Sequence, residues 1–366
     1  MRFKSKNYIL LILLLPGGVL LTGIFNRMPE TVEKLYSNGF YGILGPAWSR
    51  VTGLLPLSIA ELLVQVIILA FAYYTIKHSV NFFKRTSSSR NSLARAAVIS
   101  LAVISVGYFT FLLMWGINYY RLPFADLAGL DTSDISGEEL EVLCIELIGR
   151  ANELQAAAAE DEEIGKIEVL EQSWKGYARA GYIYPEIGGS YGRPKPVILS
   201  RAMSVLGLSG IYFPFTGEAN VNMEVPIYLF PAAVCHEMAH QRGFAREDEA
   251  NYIAYLTCIK HPAPHFQYSG ILLALINSMN AMSGYDYNKY QVLRQDYSPG
   301  VMRNLAEVQQ FWQRFQGPVM RASARVNNLY LKSNHQQDGI NSYGRMVDLL
   351  IAERRASGPR EHIDLQ

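Results

Sequence analysis

The sequence predicts a mainly α fold: three N-terminal transmembrane helices, then an α-rich domain with a small β-sheet. Of 366 residues, 50% are hydrophobic and only 18% charged, whereas soluble domains carry about 25% charged residues. Much of the apolar content lies in three runs, residues 8–25, 54–76 and 96–117, each long enough to cross a bilayer. Beyond residue 120, leucines such as Leu140, Leu143, Leu147 and Leu154 recur at helical spacing among polar residues. The net charge of +1 argues against a nucleic-acid partner.

In chain order, Arg2, Lys4 and Lys6 precede the first run, which Pro16-Gly17-Gly18 interrupts. No A-x-A cleavage site follows, so the run reads as a retained helix rather than a signal peptide. Residues 26–53 read as a polar-aromatic loop, with a short amphipathic helix at the membrane surface over 29–36. Glu61 lies near one end of the second run, where an interfacial place competes with a functional one. Residues 77–95 read as a loop carrying Lys77, Lys84, Arg85, Arg90 and Arg95. The positive-inside rule places this loop and the N-terminus in the cytoplasm. The third run then delivers the chain outside. A multi-pass membrane domain is expected over residues 1–120, and one extracytoplasmic domain over 121–357. A disordered tail is expected over 358–366.

In the second domain, helices are expected over 136–159 and over 167–180, the latter with Trp174 packed. A strand is expected over 196–200 and β structure over 210–222, broken by Pro214 and Gly217. A buried apolar helix covers 266–283, and mostly helix covers 290–327, with Trp312 and Phe315 on its packing face. A polar loop over 327–342 holds His335, and a helix over 343–355 closes the fold. Cys144, Cys235 and Cys258 are too widely spaced for a disulfide framework and read as small buried hydrophobes.

The informative stretch runs from Pro231 to Tyr252. Pro231 suits a first helical turn, and Gly243 a helix stop. Between them, His236-Glu-Met-Ala-His240 is an H-E-x-x-H motif. Four residues apart on a helix, His236 and His240 share one face and can reach a single Zn²⁺, with Glu237 as general base. The surrounding residues are apolar, and burying two histidines and a carboxylate without partners is expensive. A metal satisfies all three. A third protein ligand is needed. The metzincin position, six residues after His240, is Arg246, which cannot ligate. Glu247, Asp248 and Glu249 open a second helix, where acids also suit the helix dipole.

Glu247-Asp-Glu-Ala-Asn251 resembles the E-x-x-A-D/N motif of gluzincin metallopeptidases. The resemblance implies Glu247 as the third zinc ligand and Asn251 as the residue that orients a ligand histidine. The connection from His240 is shorter than in gluzincins, so Glu249 stands as the alternative. The whole segment resembles an uncharacterised family of bacterial membrane proteins bearing a zinc-peptidase-like signature. The likeness extends to Leu35-Tyr-Ser-Asn-Gly39, Leu54-Leu-Pro-Leu-Ser58, Asn118-Tyr-Tyr-Arg-Leu-Pro123, Ser209 to Thr216 and Asn341 to Asp348.

Together these imply a zincin-like domain and a zinc-dependent peptidase at the outer face of the cytoplasmic membrane. The substrate would be a peptide or protein, paired with an edge strand within Gly210 to Asn222. A β-hairpin covering the core is the other reading of that stretch. Tyr343, Arg345 and His335 are the candidate oxyanion donors. The second functional expectation is a catalytically silent zincin-fold receptor or envelope-assembly scaffold. A structural zinc site has no need of Glu237, and no fourth protein ligand is evident.

Overall fold

The computed structural model describes residues 5–83, 89–162, 164–334 and 345–357. Among them, three helices are long and apolar enough to cross a membrane, over Tyr8–Phe25, Ile59–Lys77 and Ala96–Met114. The first is broken at Leu13 into α1 (Ser5–Ile12) and α2 (Leu14–Phe25). Pro16 has no N–H to offer the Ile12 carbonyl, which accounts for the break.

Residues 29–53 are helical throughout, beyond the short helix expected over 29–36. Pro29–Thr31 starts a turn, Val32–Phe40 is a π-helix, and α3 (Tyr41–Gly53) follows. Five-residue hydrogen-bonded turns shift the periodicity away from 3.6, which hides such a segment from pattern reading. Tertiary contacts hold it in place. Val32 and Tyr41 are buried, and Glu33 meets Arg121 in a buried bidentate ion pair at 2.6 and 2.9 Å.

The second span starts at Ile59 rather than at residue 54, because Pro56 lies in a turn and Ser58 Oγ caps the helix by accepting from Glu61 N at 2.9 Å. The helices α4 (Ile59–Phe83) and α5 (Ser89–Met114) extend into the expected basic loop and confine it to 84–88, outside the described residues. The third span stops at Met114, and Gly116–Tyr120 is a 3₁₀ turn. A Cβ on Gly18 would lie 2.9 Å from Tyr108 Cε1, so the missing side chain lets α2 and α5 approach closely.

The helix α6 (Gly137–Glu160) begins with a capping box between Ser136 and Glu139. Two short helices follow, Lys166–Gln172 and Trp174–Ala180. Trp174 is exposed, contrary to expectation, and Tyr177 is the buried ring, donating to Cys235 O at 2.6 Å. Strands β1 (Lys195–Val197), β2 (Gly210–Phe213) and β3 (Glu218–Asn222) form one sheet in the order β1-β3-β2. β1 runs parallel to β3 and β2 antiparallel, with Ile211 opposite Asn220. The expected strand over 196–200 is cut short because Ser200 opens the helix Ser200–Leu206.

The sheet grips the second span. The Glu218 carboxylate accepts from Ile59 N at 3.1 Å and Ala60 N at 2.8 Å, placing negative charge at the start of α4. Ser58 Oγ donates to Asn220 Oδ1 at 2.6 Å. The Glu61 carboxylate in turn accepts from Ile198 N at 2.9 Å and Leu199 N at 2.8 Å.

The remaining longer helices are α7 (Phe230–Gln241), α8 (Glu247–Ile259), α9 (Pro264–Tyr285), α10 (Pro299–Gln313), α11 (Pro318–Ser333) and α12 (Met346–Ser357). α9 is the buried helix expected from its apolar run, with Ile271, Leu272 and Leu275 fully enclosed. Helix α11 takes residues 327–333 out of the expected loop. His335, Tyr343 and the tail 358–366 lie outside the described residues.

Candidate metal centre

Pro231 and Ala232 open α7, and Ser269 Oγ accepts from Ala232 N, one of the donors a helix start leaves unpaired. Gly243, at φ 82°, closes the helix. Its N–H donates to His240 O, and Phe244 N donates to Ala239 O, the paired bonds of a Schellman stop. This tight reversal brings α8 back alongside α7, so Glu247 reaches the two histidines despite the short connection.

The Nε2 atoms of His236 and His240 are 3.1 Å apart. Glu247 Oε2 lies 3.1 Å from the first and 3.5 Å from the second. These three residues form the group whose donor atoms converge closely enough to hold a metal ion. His240 Nδ1 is 2.7 Å from Phe244 O. A carbonyl can only accept, so Nδ1 carries the proton and Nε2 of the neutral ring keeps its lone pair.

Burial alone would lower the His240 imidazole, but the Glu247 carboxylate beside it lifts it to about 9. Burial alone would raise the Glu247 carboxyl, and the two imidazoles outweigh it and hold it well below the ordinary range. Glu247 Oε2 is a buried oxygen within 3.5 Å of both ring Nε2 atoms. Two imidazole nitrogens and a carboxylate oxygen crowded together in a buried site are what a cation would complete.

Glu249, the alternative ligand, points elsewhere. Its Oε1 accepts from Phe124 N and from Arg246 Nη1, both at 2.8 Å. Two residues apart on a helix, side chains diverge by about 200°. Arg246, at the metzincin position, also donates to Arg121 O at 2.9 Å. Asn251 is buried, Phe244 O accepts from His240 Nδ1, and His236 Nδ1 is buried with no hydrogen-bond partner among the described residues. Of the expected oxyanion donors, Arg345 lies 3.6 Å from Asp248 in an ion pair.

Glu237 is buried beside the donor set, and burial pushes its carboxyl up. The Tyr212 backbone N–H partly offsets this. A Cβ on Gly210 would lie 2.4 Å from Glu237 Cγ, so the free-edge strand β2 begins in direct contact with this carboxylate. The 210–222 stretch is a hairpin, β2 paired antiparallel with β3, and β2 is an edge of the sheet.

Sequence reading missed an aromatic cradle beneath α7. Trp115, just past the third span, donates from Nε1 to His240 O at 2.9 Å. Tyr41 Oη donates to Gln241 O at 2.8 Å and meets Tyr212 Oη at 3.1 Å. Asn118 Oδ1 accepts from Ser37 at 2.9 Å, and a Cβ on Gly243 would lie 3.0 Å from that oxygen. Tyr330 of α11 completes the group. Its ring is partly exposed, while its hydroxyl is sunk against Tyr119 Oη at 3.0 Å. Burial pushes that phenol up to about 12, with the Glu247 carboxylate adding to the rise. The sequence signal was the cluster of Trp115, Tyr119 and Tyr120 at the end of the third apolar run.

A family profile described as "Protein of unknown function (DUF3810)" matches residues 36–351. No curated protein and no solved structure matches the chain. The chain belongs to the DUF3810 family.

Proposed function

We propose that this family member is a membrane-anchored, zinc-dependent metallopeptidase of gluzincin-like type, acting at the outer face of the cytoplasmic membrane. The observation that carries the reading is the convergence of His236, His240 and Glu247 next to a buried Glu237. A tetrahedral zinc site with bonds of about 2.0–2.1 Å has ligand–ligand edges of roughly 3.3–3.4 Å. The separations of 3.1, 3.1 and 3.5 Å bracket that edge. Three protein ligands leave a position open, as catalytic rather than structural sites do.

When bound, zinc supplies Lewis acidity and lowers the pKa of water. Glu237, held up by burial, takes and returns a proton. The edge of β2 beside it suits an extended peptide, whose backbone would extend the sheet. Outward placement of the site rests on the basic residues between α4 and α5.

The test is metal analysis and peptide-library cleavage on wild type and Glu237→Gln. Retained zinc with lost cleavage is expected. Retained zinc with no cleavage in either protein favours the receptor or scaffold instead.

A further inference from the structure

Helix α11 carries a face that the described residues do not cover. Val319, Val326 and Leu329 are 53%, 67% and 67% exposed, and with the half-exposed Tyr330 they fall within an arc of about 100° on a helical wheel. The opposite side packs. Leu331 is fully buried, and a Cβ on Gly207 would lie 3.1 Å from Met320 Cγ. Beside the apolar arc, Arg321, Arg325 and Lys332 project within about 40° of one another. The helix contains no acidic residue. A packed side, a bare apolar side and a basic border are the pattern of a helix lying in a membrane interface.

Its position agrees. The Tyr330 ring stands 6.5 Å from Phe111, which is in the last turn of the third span. The C-terminal end of α11 therefore sits level with the end of that span, where acyl chains give way to headgroups. Tyr330 also bonds Tyr119, in the aromatic group beneath the candidate metal centre.

We propose that α11 lies along the bilayer surface. Val319, Val326 and Leu329 enter the acyl boundary, and Arg321, Arg325 and Lys332 engage anionic lipid headgroups. Through Tyr330, the membrane then forms one wall of the approach to His236, His240 and Glu247. A substrate reaching the centre from that side would arrive along the bilayer, as the juxtamembrane segment of an anchored chain does. The placement of α11 does not depend on peptidase activity.

The test places a nitroxide on Val326→Cys, on Leu329→Cys and, as the headgroup-level reference, on Arg321→Cys in the full chain. Cys144, Cys235 and Cys258 are all buried, which favours labelling at the new site. In vesicles of phosphatidylcholine and phosphatidylglycerol, the ratio of oxygen to nickel-complex accessibility should be severalfold higher at 326 and 329 than at 321. Phosphatidylcholine alone should lower that ratio, and the triple variant Arg321→Gln, Arg325→Gln, Lys332→Gln should remove the dependence on anionic lipid. Aqueous accessibility at 326 and 329 in both vesicle types overturns the proposal. So does dipolar broadening between labels, which would put a second copy of the chain on this face.

Discussion

Trp115 Nε1 donates to the backbone carbonyl of His240 across 2.9 Å, joining the end of the third membrane span to a candidate metal ligand. The edge of the indole also faces the imidazole, with ring centroids 6.1 Å apart. Replacing Trp115 with Phe keeps the aromatic packing and removes the donor. Metal affinity should fall about tenfold, as when an outer partner of a ligand histidine is lost. Chelator competition on purified protein measures it.

Glu247→Gln should abolish stoichiometric metal, because it removes the charge on which both imidazoles converge. Glu249→Ala should keep the metal, yet it is not a mild change. It strands Phe124 N–H and the partly buried Arg246, at about 2–4 kcal/mol of stability. Metal content and chemical denaturation, measured side by side, separate the two effects. Metal lost in Glu249→Ala and kept in Glu247→Gln would reverse the assignment.

Gly210→Ala tests the contact between the edge strand and the general base. The added methyl cannot fit 2.4 Å from Glu237 Cγ, so carboxylate or strand must shift. For the proposed peptidase, turnover should drop by on the order of 10²-fold, the scale of a misplaced catalytic group, with metal content unchanged. An unchanged rate would show that the Glu237 carboxylate need not sit where Gly210 now admits it.

Acid sensitivity should centre on a histidine remote from the metal centre. His261 is buried, stacked 3.7 Å from Phe266, with its Nδ1 accepting from Ala263 N. Burial pushes its imidazole down to about 4, helped by the charges of Lys175 and Arg179. The unfolded chain, with an ordinary histidine near 6.5, binds the proton first. This contribution is therefore fully present above about pH 6.5 and is lost as pH falls towards about 4. Thermal midpoints across that range should fall more steeply for wild type than for His261→Gln.

What could be read from the sequence and what could not divide along physical lines. The spans follow from the local concentration of apolar residues, the shared face of His236 and His240 from helical spacing, and the choice of Glu247 from the likeness to the gluzincin motif. Leu54 misled because apolarity alone cannot show that Pro56 and Ser58 delay the helix start. A helix was expected over 29–36, but residues 37–53 misled because their helix is held by partners far along the chain, Gln241 for Tyr41 among them. The contact of Gly210 with Glu237 and the bond from Trp115 to His240 are likewise products of tertiary packing, which no local pattern encodes.

The grip of the sheet on α4 bears on how the protein can be handled. A fragment beginning near residue 121 would leave Glu218 without the Ile59 and Ala60 N–H groups, and Asn220 without Ser58. It would also strip Trp115 and Tyr41 from the end of α7 and Glu33 from Arg121. Severed there, the chain would expose an acidic and aromatic wound rather than a finished surface. The membrane portion and the portion carrying the candidate metal centre thus behave as one unit of folding, and detergent extraction of the whole chain is the sound route to the site.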